Sequence, residues 1–344
     1  MILVLLIISI FSIYLFVINY FLKKFNFSLD IETVEEKHKS LLRNNSSTPL
    51  SGTLYFLPAV VILFYDFNYS LIICCSLLFM LGFCADLKII TSYKKRLIVQ
   101  FFLISLLFLL NKDIFINTRL DFIDNLMNIN LIRILLCAFF FMVLINGYNL
   151  IDGTNCLCSL NFLIITIFTV LLINNLNINY DYKELTILVI ILFIFLIFNF
   201  FGKNFLGDGA VYGLSFFLGY VLLEISLINN SISPYFVANL LWYPAFENLF
   251  SISRRLSKKN NVSSPDNRHL HQLIFLFFRS KNLICDKYLN TTSSIIILTF
   301  NLPTFISSSL LMTHSQILVF IIFANMILYV LIYNLISKNL KFKK

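Results

Sequence analysis

Apolar residues run along this chain in long unbroken blocks, each closed by a short polar or charged stretch. The blocks lie at about 1–21, 50–66, 70–86, 97–110, 130–147, 157–174, 184–201, 209–228, 234–252, 293–312 and 315–337. A hydrocarbon layer ~30 Å thick takes roughly 17–25 apolar residues of helix, and fewer where the end residues snorkel. The pattern therefore predicts an all-α fold, a polytopic bundle of eleven transmembrane helices, some of them short. The first block has no basic stretch before it and no small-residue cleavage site after it, and Lys23 and Lys24 follow. It reads as a retained anchor with its N-terminus outside, not as a signal peptide. No internal repeat divides the chain, so a single domain over 1–344 is expected, with a long polar loop at 253–292.

Composition narrows the class further. The 344 residues are 59% hydrophobic and 12% charged, whereas a soluble domain carries about 25% charged residues. A soluble enzyme, a disordered regulator and a nucleic-acid-binding domain are excluded on that ground. The net charge of +9 is explained by placement. With the N-terminus outside, 22 of the 26 Lys and Arg residues fall on inner segments or the C-terminal tail. Only Lys112, Arg119, Arg133 and Lys183 remain elsewhere. That asymmetry is the positive-inside pattern and sets the C-terminus in the cytoplasm. The seven cysteines mostly lie within apolar blocks, and Cys156-x-Cys158 lacks a second ligand pair for zinc, so they read as small core residues.

Polar clusters interrupt the apolar pattern, and the predicted topology puts all of them on the inner side. They are Gly82 to Leu87 with the basic run Lys94-Lys95-Arg96, then Asn146 to Asn155, then Asn199 with Gly207-Asp208-Gly209. A fourth, in the 253–292 loop, holds Arg254-Arg255 and Pro265-Asp266-Asn267-Arg268-His269-Leu270-His271. A single Asp at a helix end often only caps the next helix or meets water. Asp86, Asp152 and Asp208 all stand at inner helix ends, flanked by Asn or Gly. Asn146, Asn149 and Asp152 recur every three residues, one stripe of a helix running into the following turn. Gly153, Gly207 and Gly209 allow close backbone approach or positive φ, as a phosphate-binding turn needs. Hard oxygen ligands suit Mg²⁺, which commonly takes one or two carboxylates plus substrate phosphates. His269 and His271, beside Arg268, read either as inert loop histidines or as anion-binding donors. His38 alone says little, and His314 in a short outer turn reads as incidental.

In this order and at these intervals the clusters resemble the polyprenyl-phosphate N-acetylhexosamine-1-phosphate transferases, a superfamily that includes phospho-muramoyl-pentapeptide transferase. The resemblance covers about 48–275. Thr48-Pro49-Leu50-Ser51-Gly52 looks like the family's Pro-x-x-Gly-Gly stretch, with Thr53 in place of the second Gly. Gly82 to Leu87 looks like Gly-Phe-x-Asp-Asp-Leu, and Asn146 to Asn155 like Asn-x-x-Asn-x-x-Asp-Gly-x-Asp/Asn. Phe205 to Gly209 looks like Phe-x-Gly-Asp-x-Gly/Ala, and Asp266 to His271 like the His-x-His loop. Tyr243-Pro244-Ala245-Phe246-Glu247 to Arg255 resembles a branch serving O-antigen-type surface glycans and lipopolysaccharide.

The resemblance implies that a polyprenyl (undecaprenyl) phosphate attacks a UDP-N-acetylhexosamine or related UDP-sugar, with Mg²⁺ as cofactor. UMP would leave, and a lipid-linked sugar would begin a cell-envelope glycan at the inner (plasma) membrane of a bacterium. Asp86, Asp152 and Asp208 are the expected catalytic residues, with Asp208 and Asp86 as metal ligands. Asn146, Asn149, Asn155, Arg268, His269 and His271 are the expected substrate-binding residues. The expected partners are the lipid phosphate and the sugar nucleotide, with a homodimer compatible and nucleic acid not expected. Two positions depart from the family pattern. Ala85 stands where the first of two adjacent acidic residues belongs, and Asn155 where many members have Asp. Two other readings stay open: a catalytically lapsed homologue acting as a scaffold, and a transporter using the inner carboxylates as an ion path. A CDP-alcohol phosphotransferase would need Asp-Gly followed by Ala-Arg, which Asp152-Gly153 lacks.

Overall fold

The computed structural model describes residues 2–30, 47–115, 118–178, 180, 182–257 and 268–340. Among these residues the chain forms fourteen helices and one short two-stranded sheet. The first part holds α1 (Ile2–Lys24), β1 (Leu29–Asp30), β2 (Thr48–Pro49), α2 (Gly52–Leu63), α3 (Tyr69–Asp86) and α4 (Tyr93–Leu110). The middle holds α5 (Asp121–Met127), α6 (Asn130–Ile151), α7 (Leu157–Asn175), α8 (Lys183–Phe200) and α9 (Gly207–Ile228). The last part holds α10 (Pro234–Leu240), α11 (Trp242–Ser257), α12 (Leu270–Ser280), α13 (Asp286–Leu310) and α14 (Ser315–Asn339).

Each of the eleven apolar blocks falls on a helix, the ninth on two, α10 and α11. Eight helices (α1, α3, α6, α7, α8, α9, α13 and α14) are long and apolar enough to cross a membrane. The others in the series are compromised: α2 has 12 residues, α4 opens on Lys94-Lys95-Arg96, and α10–α11 is broken at Leu241. The break has a local cause. Pro244 has no N–H to donate, and its ring would clash with the carbonyl of Leu240 in a continuous helix. At the other end of α10, the Ser233 hydroxyl caps Tyr235 N–H and Pro234 fills the first turn.

The mostly helical architecture is consistent with the expected all-α bundle. Among the described residues the one sheet is the two-residue pairing of β1 with β2, and Leu50 bridges to Phe205 just before α9. The 253–292 stretch is not an open loop, since α11 enters it and α12 and the start of α13 lie within it. Pro265 and Asp266 lie outside the described residues.

The bundle is layered around α9. Some 78% of the α9 segment is buried, against 11% of α1 and 17% of α14. α9 is apolar on nearly every side, as a central helix must be. Its glycines let neighbours come close: a Cβ on Gly209 would lie 2.7 Å from the Phe79 carbonyl, and one on Gly82 of α3 would meet the Gly209 backbone. α2, α3, α6, α7 and α10 pack around it.

Polar contacts show which helix ends lie together. Asn68 at the start of α3 donates to Asn111 after α4, and Tyr180 donates to Glu224 near the end of α9. Arg119 donates to the carbonyls of Asn230 and Ile232, and Ser233 N–H to that of Met312. The opposite ends meet in the contacts described next. By these contacts α3 runs antiparallel to both α4 and α9.

Candidate active site

The 48–52 stretch is pinned to the entry of α9. Ser51 and Gly52 N–H groups both donate to the Phe205 carbonyl, and Phe205 N–H donates to that of Pro49. Gly207 then turns the chain with φ +78°, a left-handed conformation that glycine adopts freely. The first N–H groups of α9 have no partner within their own helix. Asp86, at the end of α3, supplies one: its carboxylate accepts from Asp208 N–H at 2.8 Å and from Gly209 N–H at 3.2 Å. Its charge also complements the positive end of the α9 dipole. A side chain at position 207 would collide with this carboxylate, because a Cβ there lies 2.6 Å from Asp86 Oδ2.

Asp208 is thereby set beside Asp86. Its Oδ2 accepts from Arg96 at 2.5 Å and from the Tyr212 hydroxyl at 3.4 Å, and Arg96 also reaches that hydroxyl at 3.2 Å. The Asp208 side chain keeps 28% of its surface exposed, so it can still meet a ligand. One turn further along α4, Gln100 accepts from the Asn146 amide of α6 at 3.0 Å. Arg96 and Gln100 share a face of α4 by their spacing of four, so α4 joins the α9 carboxylate to the Asn-rich end of α6.

That end of α6 is ordered as its spacing predicts. Asn146 and Asn149 lie on the last turns, and Asp152 is the C-cap, with φ −76° and ψ 41°. Asn155 exchanges hydrogen bonds with Asn290 of α13, at 3.2 Å to its N–H and 3.3 Å to its side-chain oxygen. Asn199 accepts from Cys156 N–H and Ser159, and donates to the Asn204 carbonyl, fixing the turn between α6 and α7. Gly147 is obligatory for another reason: a Cβ there would lie 2.1 Å from the Pro244 carbonyl of α11.

The two histidines close the arrangement. A Cβ on Gly153 would lie 2.7 Å from His271 Nε2, so the Asp152-Gly153 turn abuts the imidazole directly. His269 and His271 are both buried, their rings parallel within 4° and 5.7 Å apart. His269 Nδ1 is 2.9 Å from Glu247 Oε1, and Tyr329 donates to Glu247 Oε2 at 2.5 Å. Among the described residues neither ring nitrogen of His271 has a hydrogen-bond partner. Burial pushes the His271 imidazole down to about 3, helped by the neighbouring His269 and opposed by Glu247. Arg268, half-buried, immediately precedes this pair.

Every expected site residue thus lies at one end of the bundle, though in two groups. Asp86 and Asp208 form the first, with Arg96 and Tyr212. Asp152 and the histidines form the second, with Glu247 and Tyr329. Asn146 is tied to the first group through α4, Asn149 lies between the groups on α6, and Asn155 is held against α13. Arg96 was visible in the sequence only as part of a basic run. Tyr329 gave no signal at all, being one Tyr in an apolar block.

The model of glycosyl transferase family 4 matches residues 68–228, from the N-cap of α3 to the end of α9. Over that segment the chain is similar to this family. The family comprises the polyprenyl-phosphate hexosamine-1-phosphate transferases and phospho-muramoyl-pentapeptide transferase. The matched segment carries both carboxylates of the first group, Arg96 and the Asn-rich end of α6. The 48–52 stretch, Glu247 and both histidines lie outside it. No curated protein matches the chain. The match and the apolar helices together support a multi-pass membrane protein and, in general, phospho-sugar transfer to a polyprenyl phosphate.

Proposed function

We propose that the chain transfers an N-acetylhexosamine 1-phosphate, or a close relative, from a UDP-sugar to undecaprenyl phosphate, releasing UMP. The product would start a lipid-linked cell-envelope glycan, of the O-antigen kind, at a bacterial inner membrane. The observation that carries this reading is the convergence of four separated polar clusters on one end of an otherwise apolar bundle. With the basic segments at that same end, it faces the cytoplasm, where UDP-sugars are found.

The donor set suits Mg²⁺. The Asp86 carboxylate accepts from the Asp208 N–H and the Asp208 carboxylate stands in the same turn, while no group of three His, Cys, Asp or Glu gathers among the described residues. A cage made of protein alone is not what Mg²⁺ needs, since one or two carboxylates and the substrate's phosphates serve it. Asp208 would hold it most directly, because both Asp86 oxygens also serve the α9 N–H groups. When bound, the cation neutralises diphosphate charge and stabilises the departing UMP.

The chain's own residues do the rest. The lipid phosphate is already an anion near neutral pH, so positioning and charge neutralisation dominate. Arg96 and Arg268 supply fixed positive charge at the two ends of the polar run. Asn146 and Asn149 offer amides to the sugar or the base. An apolar cavity of about 390 Å³, lined by Ile8, Ile167, Phe193, Ile197 and Phe198, opens between α1, α7 and α8 and suits a prenyl segment.

The test is UMP release by the full chain in detergent, with undecaprenyl phosphate, Mg²⁺ and in turn UDP-GlcNAc, UDP-GalNAc and their deoxy relatives. Release with one of them is expected. Absence of release with all, in protein that inserts and unfolds cooperatively, would favour the lapsed-homologue reading that Ala85 suggests.

A further inference from the structure

We infer that Glu247 and Tyr329 are positioning residues that hold His269 toward the diphosphate, so that α11 and α14 complete the site from outside the family-matched segment. The inference rests on the proposed function for its substrate, but its geometry is independent of it.

Glu247 is a carboxylate 1% exposed, among Tyr243, Phe246, Phe250 and Tyr329. A carboxylate in such surroundings is costly unless both oxygens are engaged. Both are: Oε1 lies 2.9 Å from His269 Nδ1, and Oε2 accepts the Tyr329 hydroxyl at 2.5 Å. The acceptor at Nδ1 makes that nitrogen the protonated one and leaves Nε2 as the ring atom able to serve a ligand. The clamp is fixed from three further sides. His271 stacks parallel on the ring, the Gln272 side chain accepts His269 N–H, and Arg254 lies over the ring of Tyr333, which stacks on Tyr329. Pro244 sets its place along the chain. The carbonyl of Pro244 abuts Gly147 of α6, and Glu247 follows one turn later on α11. The acid that steers His269 is thus braced against the same helix that carries Asn146 and Asn149.

The decisive experiment is a double-mutant cycle on turnover. His269→Ala is expected to lower kcat about thirtyfold, Glu247→Gln about tenfold, and the double variant no further than His269→Ala alone. Multiplying losses would overturn the inference, as would full turnover of Glu247→Gln, because a residue acting through His269 cannot matter once that ring is gone. Where Glu247→Gln fails to insert, Tyr329→Phe keeps the ring and removes only the hydroxyl. A loss of about threefold that vanishes in the His269→Ala background is expected. The ¹⁵N spectrum of histidine-labelled protein without substrate separates this inference from the proposed function, since the chain has only four histidines. A protonated, hydrogen-bonded His269 Nδ1 in the wild type, altered in Glu247→Gln, supports the clamp even where no UDP-sugar is turned over. An Nδ1 signal indifferent to Glu247 refutes it.

Discussion

Asp208 is not the residue that caps α9, although it stands in its first turn. Asp86 does that from another helix, and Asp208 instead faces Arg96 and Tyr212. Asp208→Asn should therefore leave α9 capped and membrane insertion normal. The lost charge against a part-exposed Arg96 should cost no more than about 1 kcal/mol of stability. An amide is a poor Mg²⁺ ligand, so turnover should fall at least about a hundredfold, on the order of 2.7 kcal/mol. More than a tenth of wild-type activity at saturating Mg²⁺ would defeat the metal assignment. Ala85, half-buried beside Asp86, allows the converse test. If a second carboxylate limits the rate, Ala85→Asp should raise turnover; unchanged or lower turnover would mean that Asp86 suffices alone. His271 yields a pH prediction. Its folded value near 3 lies below the ~6.5 of an unfolded histidine, so the unfolded chain takes up the proton first as pH falls. Stability should be full above about pH 6.5 and decline below it, by up to about 1.4 kcal/mol per pH unit. Thermal midpoints in detergent between pH 7.5 and 5 measure this, and His271→Gln should flatten the curve.

At the scale of elements, the contact between α3 and α9 sets the geometry of the carboxylates. It depends on two glycines facing each other: a Cβ on Gly82 would lie 2.4 Å from Gly209 Cα. Backbone cannot yield as a side chain can, so Gly82→Ala must push the helices apart. The expected loss is about 1–3 kcal/mol of stability, the usual range for overpacking. The same displacement would draw Asp86 away from the N–H groups of Asp208 and Gly209. Turnover should consequently drop more than a stability loss of that size explains, once measured well below the thermal midpoint. An Ala variant with wild-type melting and wild-type turnover would show that the spacing is not what fixes the site. The broken α10–α11 pair belongs to this scale too. Pro244 marks the break in the sequence, but its carbonyl's contact with Gly147 is a matter of how α6 and α11 cross.

For the whole molecule the firm expectation concerns sides. Arg96, Asp208, Gly153 and His271 gather at one end, and Asn68, Asn111, Arg119, Tyr180 and Asn230 at the other. Cysteine labelling at Lys95, Lys203 and Arg255 should report the cytoplasm, and at Lys112 and Asn230 the opposite side. Lys203 and Asn230 reporting the same side would remove α9 as a span and with it the site.

By itself the sequence determined where the helices are and which polar residues crowd their ends. Burial in a hydrocarbon layer is a local requirement on each segment, so hydropathy and the distribution of Lys and Arg carry it without knowledge of neighbours. The spacing of Asn146, Asn149 and Asp152 was legible for the same reason, since helical period is local. Only the tertiary structure decided the partners. Arg96 meets Asp208 across 112 residues, and Tyr329 reaches Glu247 across 82. It also turned the His-x-His stretch from an exposed loop into a buried, stacked pair. Such pairings depend on how helices rotate and cross, and the one-dimensional pattern of polar and apolar residues does not encode rotation in helices that are apolar nearly all round.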